Sequence, residues 1–165
     1  MQTQMALTKI VSGGQTGVDR GALDAALAAK FPCGGWCPAD RAAEDGPIPA
    51  RYPPTPMGRG GYRERTLQNV LDSDGTAILF NSVLGGGTLL TLNLCQRESK
   101  PHVVIDASKT SESAAAVEIA RFVEEHEIQV LNVAGPRLSG WGRGHGFAVG
   151  TVGEVIARCR GRAGP

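Results

Sequence analysis

Three stretches of the chain carry residues that could do chemistry: SGGQTGVDR from Ser12 to Arg20, NSVLGGGT from Asn81 to Thr88, and AGPRLSG from Ala134 to Gly140. Each follows an apolar run, and the first two lead into segments with helical spacing. A glycine-rich turn at a helix start bares backbone N–H groups and presents the positive end of the helix dipole, the chemistry of anion binding. Gly13, Gly14, Gln15, Thr16 and Gly17 form one candidate phosphate cradle, and Gly85, Gly86, Gly87 and Thr88 another. The sequence leaves the choice between them open. Gly135 sits in the third turn. Neither cradle is followed by the Lys-Ser or Lys-Thr of a Walker A loop, and neither fits G-x-G-x-x-G with its acidic ribose ligand, which disfavours ordinary ATPase and NAD dehydrogenase chemistry. A side chain branched at Gly14 or Gly86 is expected to block close approach of a ligand.

An anion at that edge would need charge compensation, for which Arg20, Arg41, Arg65 and Arg137 are the candidates, with ion pairing at the surface (Arg41 with Glu44, for example) as the competing use. Gln15, Asn132 and Asp19 could meet the polar edge of a flat heterocycle, although Asp19 reads first as a helix N-cap. Trp36 is a possible flat partner, with a place in the core the stronger reading. Glu44 and Asp45 could act as general acid or base from the long loop, or simply be solvated. His145 is the one histidine placed to touch a ligand. No Ser-His-Asp or Cys-His order stands out, so nucleophilic catalysis gains little support. The four cysteines are scattered, and CGGWC has no second Cys or His pair at zinc spacing, so neither disulfides nor a metal site is expected.

The elements that position these residues alternate. LTKIVSG reads as a buried strand, Asp19 to Lys30 as a helix, GGWCP as a short strand, and YRERTLQNVLDS as a helix with Leu67, Val70 and Leu71 on one side. GTAILFN, PHVVID and IQVLNVAG are strands. Between them lie a helix rich in Leu89, Leu90, Leu92 and Leu94, expected to be largely buried, and a helix capped by Thr110 or Ser111. Phe147 to Cys159 closes as a helix. Ala39 to Gly61, crowded with Pro, Gly and charge, excludes regular structure over a length that usually signals a working loop such as a lid. This order predicts an α/β fold: a Rossmann-like open, mainly parallel sheet of about five to seven strands with helices on both faces. In such a sheet the loops leaving strand C-termini gather along one edge, where ligands bind.

At 165 residues the chain suits a single ligand-binding domain, residues 1–165, with 1–7 and 160–165 expected to be flexible. Seventeen basic and sixteen acidic residues leave a net charge of +1, too weak a field to argue for nucleic acid or an anionic membrane. No apolar stretch approaches a membrane span and no basic-then-apolar leader opens the chain, which points to the cytoplasm.

In the order SGGQTGVDRGALDAAL, GGWCPADRAAEDGPIPARYP, YRERTLQNVLDSDGTAILF, GGGTLLT, KPHVVID and LNVAGPR, from about Ile10 to Arg137, the chain resembles the molybdenum cofactor carrier proteins, the circularly permuted YpsA-like branch of the SLOG superfamily. The resemblance implies a Rossmann-like fold, a homo-oligomer (a tetramer), and binding of molybdenum cofactor (molybdopterin), a pterin with a dithiolene, a molybdenum oxo centre and a terminal phosphate. Binding without turnover is then expected. The rival readings are a nucleotide or nucleotide-derivative sensor, and a phosphoribohydrolase acting on nucleoside monophosphates. The hydrolases of the wider superfamily carry P-G-G-x-G-T-x-x-E; here Leu84 replaces the proline and Thr91 the catalytic glutamate.

Overall fold

The computed structural model describes Leu7 to Arg162, with the side chain of Arg162 left aside. A five-stranded sheet is built from β1 (Lys9–Val11), β2 (Cys33–Gly34), β7 (Gly75–Phe80), β8 (His102–Asp106) and β9 (Val130–Ala134), in the order β2-β1-β9-β7-β8 with every pairing parallel. Five helices surround it: α1 (Val18–Ala28), α2 (Tyr62–Asp72), α3 (Gly86–Arg97), α4 (Glu112–Glu125) and α5 (Gly144–Arg162). α1 and α4 pack on α5 over one face, and α2 and α3 pack together over the other. This is the expected open α/β architecture.

The two faces differ in chemistry. Alternation along the strands turns Ile10, Ala77, Leu79, Leu131 and Val133 toward α1, α4 and α5, where Ala26, Ile119, Phe122 and Val152 complete an apolar core. Toward α2 and α3 the buried set includes Thr76, Asn132, Thr88 and Thr91. Asn132 donates to the Thr76 hydroxyl across the β9–β7 pair (3.2 Å), and Thr91 donates to the Gly87 carbonyl (3.0 Å). The expectation that the α3 leucines are largely buried fails: Leu94 is buried, but Leu89 is 39% exposed, because Thr88, Thr91, Leu94 and Cys95 form the inward face. Four leucines spread over six residues circle a helix and cannot share one side.

Helix ends follow local chemistry. Ser111 caps α4 by accepting from the Ala114 amide (3.1 Å). α1, α3 and α4 each end on a left-handed residue, Lys30, Ser99 and Glu127, followed by an amide that reaches back to Ala26, Cys95 and Val123 respectively. These are Schellman closures made without glycine, so no helix-stop signal was printed in the sequence. Leu7 is buried in the core and α5 runs on to Arg162; most of the two ends expected to be flexible, residues 1–6 and 163–165, lies outside the described residues.

The segment from Ala39 to Gly61 is an ordered arm. β4 (Ala42–Ala43) and β5 (Gly46–Pro47) form a small antiparallel pair, and β6 (Thr55–Pro56) runs parallel to β3 (Trp36–Cys37). Ala43, Ile48 and Tyr52 bury against Leu23 and Cys37. Proline-rich chain leaves carbonyls without N–H partners, and Arg41 supplies the donors, reaching the carbonyls of Pro54 (2.8 Å), Pro49 (3.1 Å), Tyr52 (3.1 Å) and Ile48 (3.3 Å).

Candidate functional site

The turns after β1, β7 and β9 meet at the C-terminal edge of the sheet around one cavity of about 560 Å³, a size common for small-molecule sites. β1 lies beside β9 and β9 beside β7, with α1 leaving over one face and α3 over the other, so the cavity sits where the chain changes face. Gly13, Gln15 and Asp19 line it from the first turn, and Gly85, Gly86, Gly87 and Thr88 from the second. Asn132, Gly135 and Arg137 line it from β9 and the turn that follows, and Arg65 from α2.

The first turn is occupied by the protein itself. Three of its amides are spoken for: Gln15 N donates to Asp19 Oδ2 (3.2 Å), Thr16 N to the Gln15 side-chain oxygen (3.0 Å) and Val18 N to the Pro136 carbonyl (3.2 Å). Gly17, at φ 82°, caps α1 with no room for a side chain, since a Cβ would lie 2.5 Å from the Pro136 carbonyl oxygen. Asp19 is therefore no N-cap. Its carboxylate sits inside the turn, paired with Arg65 (3.4 Å), and burial pushes its pKa up against the opposing pull of Arg65 and of donors on Gln15, Ser12 and Gly13. With those partners it has little left to offer a ligand.

The second turn is open. The first intrahelical bond of α3 runs from Leu89 N to the Gly85 carbonyl, so the amides of Gly86, Gly87 and Thr88 precede it. No side chain caps the helix, and a Cβ on Gly85, Gly86 or Gly87 would meet nothing within 4 Å. Facing this turn, α2 presents Tyr62, Arg65, Thr66 and Asn69, spaced as one helical face. Arg65 donates to the Tyr62 carbonyl (3.3 Å) and is buried over Gly13. Arg137 is exposed, with its guanidinium 5.6 Å from the centre of the Tyr62 ring.

Five expected site residues (Gly14, Thr16, Gly17, Arg20 and Arg41), and four side chains weighed beside them (Glu44, Asp45, Trp36 and His145), lie elsewhere. Gly14 has φ 80° and turns its backbone to Ile48 of the arm, and Thr16 donates to Glu44 while accepting from Leu138 N (3.1 Å). Arg20 binds the Gly14 carbonyl (3.0 Å) and grips Asp45 with both terminal nitrogens (2.6 and 2.9 Å). Arg41 is consumed by the arm's carbonyls, not by Glu44. Hydrogen bonds from Thr16 first and then Ser139 hold the Glu44 carboxyl below its usual range, and Arg20 does the same for Asp45. These carboxylates are clasps between arm and first turn. Trp36 donates from Nε1 to Asp72 (2.7 Å), and His145 meets Asp24 on α1 (2.7 Å); neither lines the cavity. Among the described residues no group of three or more His, Cys, Asp or Glu gathers to hold a metal, no disulfide joins the four cysteines, and no helix is long and apolar enough to cross a membrane.

Reading the sequence missed Tyr62, Thr66, Asn69, Val83 and Leu90 as cavity residues. The polar repeat 62-65-66-69 was the available signal.

Residues 10–154 match the model of the circularly permutated YpsA SLOG family. A 1.45 Å crystal structure of a candidate molybdenum carrier protein from Syntrophus aciditrophicus SB is similar, with a TM-score of 0.86 and 44% sequence identity, the match covering 92% of this chain and 95% of that one. No curated protein gives a significant match.

Proposed function

Because this chain belongs to the circularly permuted YpsA family of SLOG proteins, we propose that its cavity stores, protects or carries a phosphate-bearing small molecule, and that the molecule is molybdenum cofactor. The observation that carries this reading is the turn at Gly86, Gly87 and Thr88, whose open amides face the cavity at the positive end of α3. A terminal phosphate seats there by N–H donation from the backbone. Arg65 and Arg137 supply positive charge, and with Asp19 engaged by Arg65 no unpaired carboxylate opposes an anion inside the cavity. Gln15 and Asn132 present side-chain amides to the polar edge of the pterin.

Two rivals share the cradle. A nucleotide would use the same amides, so the ligand must be read from what the protein retains. Hydrolysis of a nucleoside monophosphate finds no carboxylate at the superfamily's catalytic position: Thr91 stands there and spends its hydroxyl on the Gly87 carbonyl, Asp19 is paired with Arg65, and Glu44 and Asp45 hold the arm. The same family reading makes the protein a homo-oligomer, a tetramer, which sedimentation would check.

Protein purified from a host that makes molybdenum cofactor is expected to hold molybdenum and, after acidic iodine oxidation, to release a fluorescent pterin. Protein from a host unable to make the pterin gives the blank. Equal signals from both, or a co-purified nucleotide without pterin, would overturn the cofactor reading.

A further inference from the structure

The cavity contains a second polarity besides its anion end. Among the described residues that line it, Tyr62 is the one aromatic side chain, and it is 39% exposed. It stands at the first position of α2, across from Val83 and Leu90 on the turn and helix that carry the open amides. Val83 is 78% exposed, an unusual state for an apolar side chain at the lip of a cavity.

Two guanidiniums attend the Tyr62 ring, each 5.6 Å from its centre, and they are held very differently. Arg65 is fixed from behind, by the Tyr62 carbonyl and by Asp19. The Arg137 guanidinium has no hydrogen bond or ion pair among the described residues; it feels Glu44 only through space and rests on the ring. A cation over an exposed aromatic face is held weakly, by about 0.5–1 kcal/mol, so a better partner displaces it.

We propose that Tyr62 is the ring platform of this site and that Arg137 is parked on it: a planar heterocycle stacks on Tyr62, edged by Val83 and Leu90, and the displaced guanidinium turns to the ligand's anionic groups. The site then selects ligands that join a flat ring to a phosphate and discriminates against phosphates without a ring. Stacking tolerates different rings, because every heterocycle of this kind has a π face. Tyr62 and the Gly86–Thr88 turn thus divide the work between ring and phosphate. This inference rests on the cavity being the ligand site.

The test uses protein from a host unable to make the pterin, titrated calorimetrically with a pterin monophosphate, guanosine monophosphate and ribose 5-phosphate. Tyr62→Ala and Tyr62→Leu are expected to weaken the two ring-bearing probes about tenfold, the size of one stacked ring, and to leave ribose 5-phosphate within about twofold. Tyr62→Phe keeps all three. Tyr62→Leu retains side-chain bulk and guards against loss of folding in the alanine variant, and melting curves check both. Arg137→Ala weakens the two ring-bearing probes, whose stacking frees the guanidinium, more than ribose 5-phosphate. Undiminished binding of the ring-bearing probes by Tyr62→Leu, or an equal loss on ribose 5-phosphate, overturns the platform while leaving the cavity reading in place. A wild-type protein that binds none of the three overturns both.

Discussion

A methyl group added at Gly17 would lie 2.5 Å from the carbonyl oxygen of Pro136 and one added at Gly13 would fall on the guanidinium of Arg65, whereas one at Gly85, Gly86 or Gly87 would meet no atom within 4 Å. The two strand-to-helix turns are alike in composition, stand at the same edge of the same sheet, and each opens a helix. In the first, bareness of the backbone serves the protein: it admits Arg65 and the arm, and lets the turn after β9 close over α1. In the second it leaves the amides of Gly86, Gly87 and Thr88 open to the cavity. A glycine-rich turn reports close approach of something, and only the tertiary structure says whether the visitor is the chain itself.

The sharpest way to break this contrast is to fill both turns. Gly17→Ala combines a left-handed backbone at φ 82° with a blocked Cβ and is expected to cost at least about 3 kcal/mol of stability in denaturant melts. Gly87→Val adds bulk where the structure has space and φ is not left-handed. It should leave stability within about 1 kcal/mol and yet weaken ribose 5-phosphate at least tenfold, about 1.4 kcal/mol, because the added branch stands where the phosphate approaches the amides. If Gly87→Val destabilises as much as Gly17→Ala, the second turn is not open in solution. If it binds phosphate normally, that turn is not the cradle.

A hydroxyl deletion probes the first turn more gently. Thr16 joins three pieces, donating to Glu44 of the arm and accepting from Leu138 of the turn after β9. Thr16→Val leaves the Leu138 amide and one Glu44 oxygen short of a partner, at an expected cost of about 1–2 kcal/mol by thermal or chemical melting. Stability equal to wild type would mean that the arm is not tied there.

These differences were not readable from residue order. Alternation of apolar runs with helical spacing predicts β7, β8 and β9 and the gathering of three turns at one edge, because a parallel sheet leaves no other place for them. What separates the turns comes from residues distant in sequence: Arg65 pairs with Asp19, 46 positions earlier, and Ile48 and Pro136 close on Gly14 and Gly17. The arm's order is equally hidden, since Arg41 replaces missing N–H donors through a fold that composition alone reads as irregular. The cavity face of α2 was legible in principle. Tyr62, Arg65, Thr66 and Asn69 repeat every three or four residues, but attention to Leu67, Val70 and Leu71 selected a different side of the helix, on which only Val70 is fully buried.

The smallest expected effect concerns acid. Glu44 and Asp45 have folded-state pKa values below their ordinary ones, so the clasps they make are fully present above the ordinary carboxylate range and are lost as pH falls through the lowered values. Asp19 has the opposite sign: burial raises its pKa, so protonation relieves a charge that the folded state holds at a cost, and acid does not loosen the floor of the first turn through it. As pH falls below the ordinary carboxylate range the arm should therefore open ahead of the sheet. Hydrogen exchange should show the Ile48 amide, bonded to the Arg41 carbonyl, losing protection while amides in β7 and β9 keep theirs. The double substitution Glu44→Gln with Asp45→Asn should flatten that pH step, since neither amide side chain titrates, while leaving binding of ribose 5-phosphate at the second turn within about twofold at neutral pH. Loss of arm and sheet protection at the same pH would show that the two regions unfold as one unit, and a fall in phosphate binding in the double variant would show that the first turn and its clasps belong to the ligand site after all.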